Sequence, residues 1–181
     1  MKYLSSILLL LLALSPSYSK NTKANYKDLF GIVNTYMTSP CIKELESPAR
    51  DSMQAIAFLH DLSKKTGVKL IKVKRNKTKE CEFIIYHKDK AYGWSLWIAV
   101  GNKGISHITE TWQTRNEGLL RKKFFFVFSD SYDSWGDPTE EMEDNTWFSW
   151  DRNEYGCGRL MVTLEYGKYT FVSRRLEFSG N

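Results

Sequence analysis

The sequence predicts an α+β protein in which two N-terminal helices pack on a curved, mostly antiparallel sheet of about eight strands, or on a partly closed barrel. Three observations support this prediction. Apolar residues recur at helical spacing in the first third of the chain and alternate with a period of two after Gly67. Short turns between consecutive strands favour antiparallel pairing. With 181 residues, of which 42% are hydrophobic, the chain is too apolar to be disordered.

Residues 1–19 have the pattern of a signal peptide, which leaves residues 20–181 as a single α+β domain. Lys2 is followed by an apolar run over residues 7–14, and small residues precede the expected cleavage after Ser19. The apolar run is much shorter than the roughly 20 residues that a membrane-spanning helix needs. We therefore expect a secreted or periplasmic protein.

Two helices are predicted after this segment. Residues 26–37 carry apolar side chains on one helical face, and Pro40 is expected to end this helix because proline lacks an amide hydrogen. Ser47 and Pro48 are typical of the N-cap and first position of a second helix, which should end at Gly67. The predicted apolar face of the second helix consists of Met53, Ile56, Phe58, Leu59 and Leu62.

The rest of the chain contains eight candidate strands. They are residues 69–75, 81–87, 92–100, 105–112, 121–129, 146–152, 159–166 and 169–178. Gly101-Asn102-Lys103-Gly104 and Gly167-Lys168 fit tight hairpin turns. In the fifth candidate, a period of two places Phe124, Phe126 and Phe128 on one face of a strand.

The chain has three cysteines, Cys41, Cys81 and Cys157. An oxidising compartment favours one disulfide and one unpaired thiol, and the sequence leaves all three pairings open. Three reduced, buried cysteines are the alternative.

Basic side chains are concentrated in residues 64–79, which contain eight lysine or arginine residues and no acidic residue. Nucleic acid is not an expected partner, because the protein is predicted to be exported and no nucleic-acid-binding motif accompanies the lysines. One interpretation is an edge hairpin whose lysines prevent edge-to-edge pairing. The functional hypothesis is contact with an anionic envelope surface through Lys69, Lys72, Lys74, Arg75, Lys77 and Lys79.

Acidic side chains are concentrated in residues 130–144, which contain seven acidic residues and no basic one. These residues fall in a predicted 17-residue connection between two strands, residues 129–145, and connections of that length are often functional. Aromatic side chains would anchor a partner there, and carboxylates would steer a basic one. The predicted partner-binding residues are Tyr132, Trp135, Asp137, Glu140, Glu141, Glu143 and Asp144.

The same segment has two further interpretations. It could be a solubilising loop folded against the chain's own basic surface. It could also hold calcium through its carboxylates, although an EF-hand loop that starts at Asp130 would require glycine where Trp135 stands.

No catalytic, metal-binding or cofactor-binding motif occurs in the sequence. The chain lacks a nucleophile elbow, a phosphate-binding glycine loop and a dinucleotide fingerprint. Its three histidines do not have the spacing of a zinc site. We therefore expect neither a metal nor a cofactor.

Three functional hypotheses follow from the sequence. The favoured one is a small exported binding protein without catalysis, such as an inhibitor or immunity-type protein that engages a protein partner through residues 129–145. The second is a periplasmic or extracellular carrier of a small apolar ligand, held between the helices and a sheet lined by residues such as Trp94 and Phe126. The third is a hydrolase that uses the carboxylates of the acidic segment, as paired carboxylates do in glycoside hydrolysis.

Overall fold

The computed structural model describes residues 25–26, 28–42, 51–74, 81–88, 90–151, 158–166 and 170–178. The helices in these residues are α1 (Leu29–Ile42), α2 (Ser52–Thr66) and α3 (Glu117–Trp135). The strands are β1 (Ile71–Lys74), β2 (Cys81–Lys88), β3 (Gly93–Gly101), β4 (Gly104–Gln113), β5 (Glu140–Glu141), β6 (Trp147–Asp151), β7 (Arg159–Glu165) and β8 (Phe171–Glu177).

The eight strands form one antiparallel sheet in the order β1-β2-β3-β4-β8-β7-β6-β5. The edge strands β1 and β5 do not pair with each other, so the sheet is open and is not a barrel. The predicted α+β architecture with a curved antiparallel sheet is confirmed.

Helix α1 begins three residues later than expected, at Leu29, and continues through Pro40 to Ile42. The prediction that Pro40 ends the helix is therefore wrong. The fixed backbone angle of proline is compatible with a helix, and Pro40 lies in the last turn, where only Cys41 and Ile42 follow it. The first turns of α1 bury Leu29, Phe30 and Val33.

The predicted end of helix α2 is confirmed, whereas its first residues differ from the prediction. Its N-cap is Asp51, whose carboxylate accepts a hydrogen bond from the amide of Gln54 at 2.8 Å. The predicted cap, Ser47, lies outside the described residues. The predicted end is confirmed, because Gly67 adopts a left-handed φ of 71° and its amide donates to the carbonyl of Ser63.

The buried face of α2 is formed by Ala55, Leu59 and Leu62. Met53 was predicted to share this face, but its side chain is 78% exposed. Residues two positions apart in a helix are separated by about 200° around its axis. Met53 therefore points away from Ala55 and from the buried face to which Ala55 belongs.

One face of the sheet carries the core. A row of buried side chains crosses six strands in register, and its members are Phe83, Ile98, Ile108, Leu176, Leu160 and Trp150. Buried residues of all three helices belong to the same cluster. In the described residues, the helices therefore cover one face of the sheet.

The predicted strand over residues 121–129 is wrong, because this segment lies within helix α3. The buried residues of α3 are Leu120, Phe124, Val127 and Ser131, which follow a helical spacing. Residues 124–128 are all apolar, so their pattern fits a period of two as well as a helical one, and the strand propensity of Phe and Val favoured the wrong choice. Asn116 caps the helix by accepting a hydrogen bond from the amide of Leu119 at 3.1 Å.

The predicted 17-residue connection is also wrong. Residues 129–135 form the end of α3, and Glu140–Glu141 forms the short strand β5, which pairs with β6. Gly136 closes the helix, since its amide donates to the carbonyl of Tyr132 at 2.8 Å. Only residues 136–139 and 142–146 remain as irregular connections, so the acidic segment is not an extended arm.

The predicted hairpin at residues 101–104 is confirmed, because Gly101 pairs with Gly104 between β3 and β4. Strands β7 and β8 also pair antiparallel as expected, although Gly167 and Lys168 lie outside the described residues. Gly158, just before β7, has a φ of 96°, and a Cβ there would overlap the carbonyl of Glu177. Only glycine therefore allows β7 to begin this close to β8.

The thiol of Cys81 is free, and the structure contains no disulfide among its described residues. The two pairings that would include Cys81 are therefore absent. Cys157 lies outside the described residues, as does the side chain of Cys41.

Candidate functional site

The face of the sheet opposite the helices contains a groove of about 400 Å³. We call it the sheet groove. Side chains of neighbouring strands form rows across this face. The groove follows a row of small side chains that carry hydroxyls, and the rows on both sides of it contain larger side chains. The strand register places Ser95, Thr111, Ser173 and Thr163 in the row of hydroxyls.

Larger side chains line the sheet groove on both sides of the hydroxyl row. On one side, Trp97, Thr109, Arg175 and Met161 are in register on β3, β4, β8 and β7. On the other side lies the ring of Phe171. The indole of Trp97 is 39% exposed, and its N–H donates to the hydroxyl of Ser95 at 3.2 Å.

The hydroxyl row extends beyond the sheet groove toward aromatic side chains at both ends. Tyr86 of β2 pairs with Ser95, and Trp147 of β6 pairs with Thr163. Adjacent strands are about 4.8 Å apart, so a row across six strands spans about 24 Å. A surface of this length, with hydroxyls that donate and accept and a ring at each end, can hold an extended segment of another molecule.

The acidic segment borders this open face at strand β5. Glu140 forms an ion pair with Arg159, and the guanidinium of Arg159 lies 5.7 Å from the ring centre of Trp147. The Nε of Arg159 also donates to the hydroxyl of Ser149 at 2.8 Å. Glu140 thus joins the acidic segment to the open face.

The other carboxylates of this edge are exposed. Glu141, Glu143 and Asp144 form no ion pair with any described residue. We call these three residues the acidic edge. The amide and hydroxyl of Thr146 donate to the carboxylate of Asp144 at 3.1 and 2.7 Å, and these bonds, the hydroxyl first, lower the pKa of Asp144.

Two predicted partner-binding residues form a pair at the end of α3. The hydroxyl of Tyr132 donates to the carboxylate of Asp137 at 2.8 Å, and this bond raises the pKa of Tyr132 above its ordinary value. Trp135 is partly buried and packs against the core, so it is not a free anchor. Of the two rings predicted for recognition, only that of Tyr132 is exposed.

A polar network that the sequence did not predict lies on the helix-covered face, with Glu110 buried, Arg174 partly buried and Asp130 exposed. The guanidinium of Arg174 donates to Glu110 at 2.8 Å and to Asp130 at 2.7 Å. The indole of Trp94 donates to the other oxygen of Glu110 at 2.7 Å. The central carbon of the Arg174 guanidinium lies 4.0 Å from the ring centre of Phe30.

A signal for this network was present in the sequence. Arg174 stands between Val172 and Leu176, and Glu110 stands between Ile108 and Trp112, so both occupy core positions of their strands. Charged residues at such positions are buried only when they are paired. The alternation therefore indicated that each needed a partner inside the core.

A cavity of about 200 Å³ lies between α1 and α3 above this network. Polar side chains contribute much of its lining, including Asp28, Asp130, Ser131 and Arg174. It is smaller than the 300–1,000 Å³ that is usual for small-molecule sites. Both carboxylates of the network are ion-paired with Arg174.

The residues predicted to contact an anionic surface are only partly described. Lys69 and Lys72 are exposed, and Lys72 and Lys74 belong to β1, an edge strand of the sheet. Arg75, Lys77 and Lys79 lie outside the described residues.

Within the described part of the chain, no three histidine, cysteine or acidic side chains meet where they could hold a metal ion. None of the helices described has the length and apolar character that crossing a membrane would require. Neither family models, nor curated proteins, nor solved structures match this chain.

Proposed function

We propose that this protein is a small exported binding protein without catalysis, and that it holds a protein partner across the sheet groove and the acidic edge. The observation that carries this proposal is the groove on the open face of the sheet, with the exposed indole of Trp97 in one wall. Tryptophan and arginine contribute most to binding at protein interfaces, and Arg175 lies in the same wall as Trp97.

The acidic edge supports a basic partner. Its three carboxylates face solvent without a described cation, so their field extends outward and is available to steer an oppositely charged protein. The proposed partner is thus a basic protein, as the sequence predicts, but its main contact surface is the sheet groove rather than the acidic segment. An inhibitor or immunity-type protein would use such a surface to cover a basic enzyme.

Export is part of the proposal because of the pattern in residues 1–19.

The two alternative functions have weaker support. An apolar carrier needs an apolar cavity, but the indole of Trp94 is bonded to Glu110 and the ring of Phe126 is exposed. A hydrolase needs a carboxyl in apolar surroundings to serve as general acid. The carboxylates of the acidic edge are exposed, and Glu140 is paired with Arg159.

The proposal is tested by isolating the partner on the immobilised protein from the medium of the producing organism, then measuring its dissociation constant for variants. We expect Trp97→Ser to weaken binding about tenfold or more, as the loss of a central interface tryptophan does. Exchanging Glu141, Glu143 and Asp144 for lysine should slow association, and the effect should shrink at high salt.

Met53→Ser is the matched control, because Met53 is an exposed apolar residue on a helix, away from the open face. Equal affinity of the Trp97→Ser and Met53→Ser variants would show that the sheet groove is not the binding surface.

A further inference from the structure

Helix α3 exposes two adjacent phenylalanines. Phe125 and Phe126 are each 66% exposed, whereas Phe124 beside them is buried. Leaving two neighbouring aromatic rings in water is unfavourable, and exposed apolar patches of this kind mark contact surfaces. Neither ring belongs to the hydrophobic core.

Basic side chains lie beside these rings. Arg121 and Lys122 are exposed and stand four residues before Phe125 and Phe126, so each pair lies on the same side of the helix. The guanidinium of Arg121 lies 5.6 Å from the ring centre of Tyr166, which is also exposed. We call Arg121, Lys122, Phe125, Phe126 and Tyr166 the α3 patch.

A third cation reinforces the positive charge. The ammonium of Lys123 lies 5.1 Å from the ring centre of Phe126 and 4.6 Å from that of Trp112. The basic residues of the helix therefore all lie on the N-terminal side of the exposed rings, and the acidic residues Asp130 and Asp133 stand farther along α3.

This distribution of charge does not serve the stability of the helix. The N-terminal end of a helix is partly positive and favours acidic residues, and the C-terminal end favours basic ones. In α3 only Glu117 follows this rule in the first turn, and the last turn contains no basic residue. Arg121, Lys122 and Lys123 lie in the second turn, beyond the reach of the dipole, so the dipole does not account for them.

We propose that the α3 patch docks the protein on an anionic phospholipid surface. Phe125 and Phe126 would enter the boundary between headgroups and acyl chains, and Arg121 and Lys122 would contact lipid phosphates. Exposed aromatic residues combined with basic ones are the features by which helices bind at anionic membrane surfaces. Tyr166 has a ring that suits the headgroup level, where its hydroxyl stays hydrated.

The α3 patch and the sheet groove are on opposite sides of the sheet, because α3 belongs to the layer of helices. A protein docked through α3 would turn its open face away from the lipid. It could therefore bind a partner and a membrane at the same time, and the two proposals fail or hold independently.

The test is sedimentation of the purified protein with phosphatidylcholine vesicles that contain either no phosphatidylglycerol or about 30% of it. We expect binding to the anionic vesicles only, and weaker binding as the salt concentration rises. Each basic side chain near an anionic surface contributes about fivefold, so R121Q/K122Q should weaken binding about 25-fold. F125S/F126S should also abolish most binding, while the far-ultraviolet circular dichroism stays unchanged.

Tyr132→Ser is the matched control, since Tyr132 is an exposed aromatic residue of the same helix beside acidic rather than basic side chains. All variants are compared as the protein from residue 20 onward, without the predicted signal peptide, so they differ only at the substituted positions. Equal binding to both vesicles, or equal binding of F125S/F126S and Tyr132→Ser, would overturn the proposal. Self-association that F125S/F126S abolishes, without vesicle binding by the unchanged protein, would assign the patch to a second copy instead.

Discussion

Asp144 illustrates how single side chains shape the acidic edge. Its carboxylate accepts hydrogen bonds from the hydroxyl and amide of Thr146, and these hold the turn before β6 in place. The bonds favour the charged carboxylate, which is why its pKa lies below the ordinary value of 3.8.

The pH dependence follows from that direction. A pKa that is lower in the folded state stabilises the fold above pH 3.8, and this contribution is lost as the pH falls through the folded pKa. We expect Thr146→Val to raise the pKa of Asp144 in a carboxyl-detected NMR titration, because the hydroxyl makes the larger contribution. Thr163→Val, on the open face, should leave it unchanged. A Thr146→Val variant with the original pKa would contradict the assigned cause.

At the scale of elements, α2 and α3 show when a sequence pattern is decisive. In α2 the apolar residues are interrupted by polar ones. The helix ends at Gly67 in the left-handed conformation, which glycine adopts more readily than other residues. In α3 five consecutive apolar residues erase the periodicity. The choice between helix and strand then depends on which of these side chains pack against the sheet. Here Leu120, Phe124 and Val127 are buried, which is a helical spacing.

The assignment of α3 as a helix has a direct test in stability. Phe124→Ala should lower the free energy of unfolding by about 3–5 kcal/mol, because it empties a buried site. Phe126→Ala should change it by less than about 0.5 kcal/mol, since its ring is exposed. Denaturant titration of both variants provides the comparison. Similar losses for the two would instead support the strand, in which both rings share one face.

At the scale of the whole molecule, one arrangement of helix and strands occurs twice. A capped helix followed by four antiparallel strands occurs as α2 with β1–β4 and again as α3 with β5–β8. In each half a glycine ends the helix, Gly67 or Gly136, and the first strand begins four residues after it. The halves meet where β4 pairs with β8, with Glu110 and Arg174 at the middle of that pairing.

The Glu110–Arg174 pair should therefore be important for holding the halves together. We expect Arg174→Met to lower the free energy of unfolding by about 3–5 kcal/mol, because it removes the cation that is paired with the buried Glu110. The double variant Glu110→Leu/Arg174→Met should recover part of this loss. Denaturant unfolding would measure both, with Arg175→Met on the open face as control. A loss no larger than in the control would contradict this role.

The sequence by itself determined the α+β class, the end of α2, the β3–β4 hairpin and the side of most strands that is buried. These features depend on local backbone chemistry and on alternation, which neighbouring residues specify. Only the tertiary structure decided that residues 121–129 are helical, that the acidic segment includes strand β5, and that the helices of the described residues cover one face of the sheet and not the other. Those outcomes depend on contacts between distant residues, such as Arg174 with Asp130 and Glu140 with Arg159, whose pairing no local pattern encodes.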